Sequence, residues 1–298
     1  MEIENNVEKE RVRRIPVWAS IPVFILLWLI LTTTISIPLV LFMGGMKQLE
    51  LNSWGSVWAK AIEMTAGLIA AAILLYFDSR PFADLGLRLR GHLKDLGWGL
   101  AMALLIYAVG FAFSLAIGSV EIVGTHVDLS GLWMSFVLFI FVAIDEEVIV
   151  RGFILGRLLH TRLNKFLSLF ISAAIFSAMH LFNPNITFLP MLNLLLAGLL
   201  LGASYLYTRN LMFPISLHLF WNWIQGPILG YEVSGNSGYD TLIELKMSAG
   251  DSLWNGGAFG FEGSLPCTVL CLLAVLLIIW WGEKQEALKL ARRQSYSD

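Results

Sequence analysis

Apolar residues run along this chain in long blocks, separated by short clusters of charge. Blocks of about 17 residues or more recur at 17–43, 57–77, 96–117, 132–158, 165–181, 188–207, 211–229 and 265–281. At about 1.5 Å per residue each is long enough to approach the width of a bilayer core, about 30 Å. The pattern predicts an all-α fold, a polytopic transmembrane helical bundle of about eight spans. Little is left for a soluble domain, so residues 1–298 read as a single integral membrane domain. Apolar residues 15–44 follow a charged N-terminus and are too long for a secretory leader, so they read as a retained first span. No internal repeat is evident, which argues against an inverted-repeat transporter.

Two connections carry further content. Residues 81–98 mix Leu with Arg and Lys, as an amphipathic surface segment or a polar loop with a few buried leucines would. The connection 230–264, rich in Gly, Ser and Asn, reads either as a cap over the outer side of the bundle or as a passive connector.

Composition excludes an ordinary soluble domain, since 57% of residues are hydrophobic and only 14% charged. The net charge of −2 gives no reason to expect nucleic acid. Cys267 and Cys271, four apart in an apolar run, read as two small buried side chains rather than a disulfide. The placement of charge says more. With the N-terminus taken as cytoplasmic, that side collects Lys9, Arg11, Arg13, Arg14, Arg80, Arg88, Arg90, Lys94, Arg157, Arg162, Lys165, Arg209, Lys284, Lys289, Arg292 and Arg293. The other side has only Lys47 and Lys246, while its last loop holds Glu232, Asp240, Glu244, Asp251 and Glu262. Basic residues gather on the cytoplasmic side, so both termini are expected there.

Ionisable residues inside spans are costly, at least about 2.5–3.5 kcal/mol at the bilayer centre, and need a reason. Lys60 and Glu63, three apart near the start of the second span, can pair on one helix face or snorkel. The fourth span is different, because Asp145, Glu146 and Glu147 are consecutive. Glu147 and Arg151 are one turn apart and can pair, whereas Glu146 points about 100° away without that partner. A carboxylate in such a site suits a general base. His180 closes the fifth span, and His218 and Asn222 share a face of the seventh. Counted from the cytoplasmic ends, Glu146 lies about 15 Å deep, His218 about 10–15 Å, Asn222 about 20 Å and His180 about 20–25 Å, compatible with one cavity.

These residues fall into three motifs: EExxxR (Glu146, Glu147, Arg151), FxxxH (Phe176, His180) and HxxxN (His218, Asn222). In this the sequence, over about residues 130–230, resembles the CPBP family of intramembrane endopeptidases. That family includes the CAAX-processing Ras-converting enzyme and bacteriocin-processing proteins. The resemblance implies a glutamate-dependent protease whose catalytic core is formed by these helices. Glu146, helped by His180, would activate a water; His218 and Asn222 would stabilise the oxyanion; Glu147 and Arg151 would position the site, within reach of the substrate. No cofactor is expected. The alternative is a zinc version with Glu146, Glu147, His180 and His218 as ligands, although HExxH is missing. The rival within the family is a non-proteolytic scaffold or immunity protein that keeps the fold, and the rival from another class is a proton-coupled transporter. The expected partners are the lipid bilayer and a peptide or protein substrate at or in the membrane, with the prokaryotic cell membrane as the setting. Asp145 is left without a role.

Overall fold

The computed structural model describes residues 15–45, 54–250 and 252–295. The tail carrying Lys9, Arg11, Arg13 and Arg14, together with Lys47 and Asp251, lies outside the described residues.

Each of the eight apolar blocks is helical. The helices are α1 (Val17–Phe42), α2 (Gly55–Phe77), α3 (Leu93–Ala116), α4 (Leu129–Glu147), α5 (Lys165–Met179), α6 (Phe188–Thr208), α7 (Met212–Trp223) and α8 (Leu265–Gln294). Five of them, α1, α2, α3, α6 and α8, are long and apolar enough on their own to cross a membrane. The fourth block changes pitch partway: α4 continues as the π-helical stretch Val148–Leu155 and a last turn, Gly156–Leu158. The seventh likewise passes from α7 into π-helical Ile224–Ile228, which contains Pro227. Helix α8 runs well beyond the predicted end at 281, because the charged segment after Trp281 stays helical and places Arg292 and Arg293 in its last turn.

The fold is helical with one addition that the apolar pattern did not predict. Strands β1 (Val120–Thr125) and β2 (Ile243–Met247) pair antiparallel, with an irregularity between Ile122 and Gly124. Residues 81–98 begin as a loop with one buried leucine and enter α3 at Leu93. One 3-10 turn, Phe82–Leu85, buries Leu85, and the chain then passes through Gly86 at φ 86° to the start of α3.

Cross-links at each end make the helices alternate in direction. At one end Ile15 N donates to Asp78, which also pairs with Arg157; Leu211 N donates to Gly86 O; and Lys165 bonds Glu283 and Glu286 of α8. At the other end β1 pairs with β2, Asn183 donates to Ser234 O at 3.0 Å, and Asn193 donates to the carbonyls of Glu262 and Ser264. The start of α1 and the end of α8 therefore lie at the same end.

Helices approach closely where a side chain is missing. A Cβ on Gly198 of α6 would sit 2.9 Å from both Cα and Cβ of Ala173 in α5, and one on Gly99 of α3 would sit 2.7 Å from the backbone of α7. Small residues at crossings are how helices pack where lipid removes the hydrophobic drive. The exposed apolar side chains, Leu26, Leu29, Leu105, Leu273 and Leu276 among them, cover the outer surfaces of α1, α3 and α8, as a lipid-facing belt requires.

Candidate active site

The three motifs meet. Glu146 of α4 has one carboxylate oxygen, Oε2, 3.9 Å from Nε2 of His180 and 3.9 Å from Nε2 of His218. The first imidazole stands at the C-terminal cap of α5 and the second comes from α7. Neither distance is a hydrogen bond, and Glu146 Oε2 has no partner among the described residues.

Both rings are held from behind. His180 Nδ1 faces the Phe176 carbonyl at 2.9 Å, and His218 Nδ1 faces Glu147 Oε1 at 2.9 Å. An imidazole nitrogen facing an oxygen acceptor carries the proton, so in the neutral form each ring turns an Nε2 lone pair towards Glu146. Glu147 is fully buried, and the same Oε1 accepts from Arg151 Nη1 at 2.8 Å. Arg151, also fully buried, donates through Nη2 to Gly198 O at 3.1 Å and lies 4.4 Å over the Phe176 ring. Phe176 packs in turn against His180 and His218, with ring centroids 4.9 and 6.2 Å away. The local pairing predicted for Glu147 and Arg151 is present. Neither residue lines the cavity.

That cavity, about 600 Å³, is lined by Glu146, His180, His218 and Asn222. Its size suits a bound peptide segment rather than an ion. The Asn222 side chain, one turn from His218, has no hydrogen-bond partner among the described residues. From the connection after α7, Val233, Ser234 and Asn236–Tyr239 form a partial roof over the cavity. Glu262 fixes the roof by accepting from Ser234 N at 2.8 Å, Ser234 Oγ at 2.7 Å and Trp221 Nε1 at 2.7 Å. Burial raises the Tyr239 phenol above its usual range, which keeps it a neutral hydroxyl.

Several cavity-lining or supporting residues had no part in the site expected from sequence. Lys60 and Glu63 do pair, at 2.5 Å, but both also line the cavity. Asp145 lines it too, with its Oδ1 where a Cβ on Gly67 of α2 would come within 2.9 Å. The signal for these was present as charge inside an apolar block. For Glu262 and Gly198 no local pattern could have given the role, because their partners are distant in sequence. Cys267 and Cys271 are free and buried, with Sγ atoms 3.8 Å apart.

The donor types at Glu146, His180 and His218 suit zinc, but the spacing does not. Ligands about 2 Å from a tetrahedral ion lie about 3.3 Å from one another, closer than the two 3.9 Å separations here. The fourth candidate, Glu147, is engaged with Arg151 and His218. Among the described residues no three His, Cys, Asp or Glu side chains are grouped closely enough to hold a metal ion.

Fold and site thus define a membrane-embedded helical bundle with a Glu–His–His–Asn constellation facing one cavity. Residues 128–224 match the family model described as Rce1-like, type II CAAX prenyl endopeptidase. The matched stretch runs from Asp128, the cap of α4, past the end of α7 and contains all three motifs, so the resemblance is borne out over the residues that carry it. It supports a protease acting at the membrane. No curated protein and no solved structure matches the chain.

Proposed function

We propose that the chain is an intramembrane endopeptidase in which Glu146 is the general base. The observation that carries this reading is the pair of 3.9 Å separations from Glu146 Oε2 to His180 Nε2 and His218 Nε2. That spacing is too long for direct bonds and suits one bridging water held by all three groups. Glu146 takes a proton from this water as its oxygen attacks the peptide carbonyl carbon. The carbonyl π pair moves onto oxygen, and the resulting oxyanion faces Asn222 and His218. Collapse of the tetrahedral intermediate breaks the C–N bond, and Glu146 passes its proton to the leaving nitrogen. The products are a carboxylic acid and an amine.

Donors set in advance at the developing charge lower the barrier more than any contact made equally in the ground state. Asn222 offers an amide N–H. His218 offers Nε2–H only as the imidazolium, because its Nδ1 proton faces Glu147, and the Glu147 carboxylate stabilises that charged form. His180, braced by the Phe176 carbonyl, orients the water. Glu147 and Arg151 act by holding these groups in place.

The test is hydrolysis of a panel of membrane-tethered peptides by the purified chain in liposomes without an ion gradient. Cleavage lost with Glu146→Ala and with His180→Ala supports the reading. Cleavage surviving both substitutions overturns it. A scaffold gives no cleavage at all, and a proton-coupled transporter shows Glu146-dependent flux only when a gradient is imposed.

A further inference from the structure

The two ends of the bundle differ in charge, and the cavity reaches only one of them. At one end its floor is closed. The π-helical stretch Val148–Leu155 is wholly buried, Gly152 lies against the Leu85 carbonyl, and Asn210 and Leu211 bond the Arg88 and Gly86 carbonyls. At the other end the lining includes Ser56 in the first turn of α2, Asn183 just after α5, and Asn236, Ser237 and Gly238 after α7. Ser56 and Asn236–Gly238 are exposed. All belong to the end that carries the β1–β2 ribbon.

That end is poor in basic residues. In its connections the sequence has only Lys47 and Lys246, whereas Arg80, Arg88, Arg90, Lys94, Arg157, Arg162, Lys165, Arg209 and the basic residues of α8 gather at the closed end. Positive charge marks the cytoplasmic side of a membrane protein. We propose that the active site opens to the outer, non-cytoplasmic face, so that its substrates are exported peptides or outward-facing segments of membrane proteins, not cytoplasmic tails. The substrate half of this statement rests on the endopeptidase reading; the direction of opening does not.

Sided labelling of the full chain in intact spheroplasts separates the two. Single cysteines are placed at the rim (Ser237→Cys), in the cavity wall (Ala59→Cys) and at the closed end (Arg162→Cys). The unsubstituted chain, whose two cysteines are buried, is the background. A charged, membrane-impermeant thiosulfonate added outside should block Ser237→Cys and Ala59→Cys completely against a permeant maleimide added after lysis, and leave Arg162→Cys fully labelled. Blocking of Ala59→Cys only from the cytoplasmic side, or from neither side, overturns the outward opening. In parallel, one peptide segment is tethered to either side of a single membrane anchor. Glu146-dependent cleavage of the outward reporter alone supports the substrate assignment, and cleavage of the cytoplasmic reporter alone overturns it. Outward labelling with neither reporter cut keeps the opening and counts against the endopeptidase reading.

Discussion

Glu147 Oε1 accepts from His218 Nδ1 at 2.9 Å, joining residues 71 positions apart, and does so while also accepting from Arg151 at 2.8 Å. Adjacent glutamates thus divide the work of the motif. Glu146 faces the cavity, and Glu147, about 100° around the helix, faces inward to hold a ring and a guanidinium. The arrangement has the logic of a carboxylate behind a catalytic imidazole, fixing its tautomer and supporting its charged form.

Removing that carboxylate should be costly twice. Glu147→Ala leaves the fully buried Arg151 without its counter-charge, a loss of about 3–5 kcal/mol for a broken buried pair. Thermal unfolding in detergent should show a clear fall in Tm. Glu147→Gln also removes the counter-charge but keeps the shape and an acceptor for Arg151, so it should fold with a smaller fall in Tm, yet lose about 10–100-fold in activity as groups that orient a working histidine do. Full activity in Glu147→Gln would remove the orienting role.

Gly198 sits where α6 meets α5 and supplies the carbonyl that receives Arg151 Nη2. Gly198→Val must push the helices apart at Ala173, at about 1–3 kcal/mol for overpacking. Lower Tm and lower activity are expected together. An unchanged Tm would mean that this crossing tolerates the added volume.

The roof offers a different signature. Glu262→Gln weakens the three bonds that fix Ser234 and Trp221 while leaving Glu146, His180, His218 and Asn222 in place. Loss of roof contacts should raise KM with kcat nearly kept, since such contacts hold substrate and transition state alike. Steady-state kinetics on one tethered peptide reads this directly, and a fall in kcat at constant KM would place Glu262 nearer the chemistry.

The helices were legible because an apolar block long enough to cross a bilayer leaves the backbone little choice but to bond to itself. The site was legible as residue types, since charge and histidine inside such blocks demand partners. The partners were less so. The pairing of Lys60 with Glu63 follows from spacing, but that the pair shares a cavity with Glu146 depends on how α2 packs on α4. Arg151 looked able to meet substrate, yet the π-helical turn that carries it is wholly buried. The β1–β2 ribbon joins segments more than a hundred residues apart, and nothing local in either strand names its partner.

A metal chelator provides a further check. The spacing of Glu146, His180 and His218 is too wide for zinc ligands, so activity should be unchanged after exhaustive chelation and dialysis, and metal analysis should find less than one zinc per chain. Activity lost to chelator and restored by zinc alone would require these three side chains to close up around an ion.

The most direct measurement is the rate of peptide cleavage by Glu146→Gln against the unsubstituted chain, with Tm recorded for both. The substitution keeps the volume of the side chain and removes its capacity to take a proton. The account predicts an unchanged Tm, a similar KM, and a kcat lower by about 10²–10⁴-fold, the usual contribution of a general base. A Glu146→Gln chain that cleaves at the unsubstituted rate would contradict it.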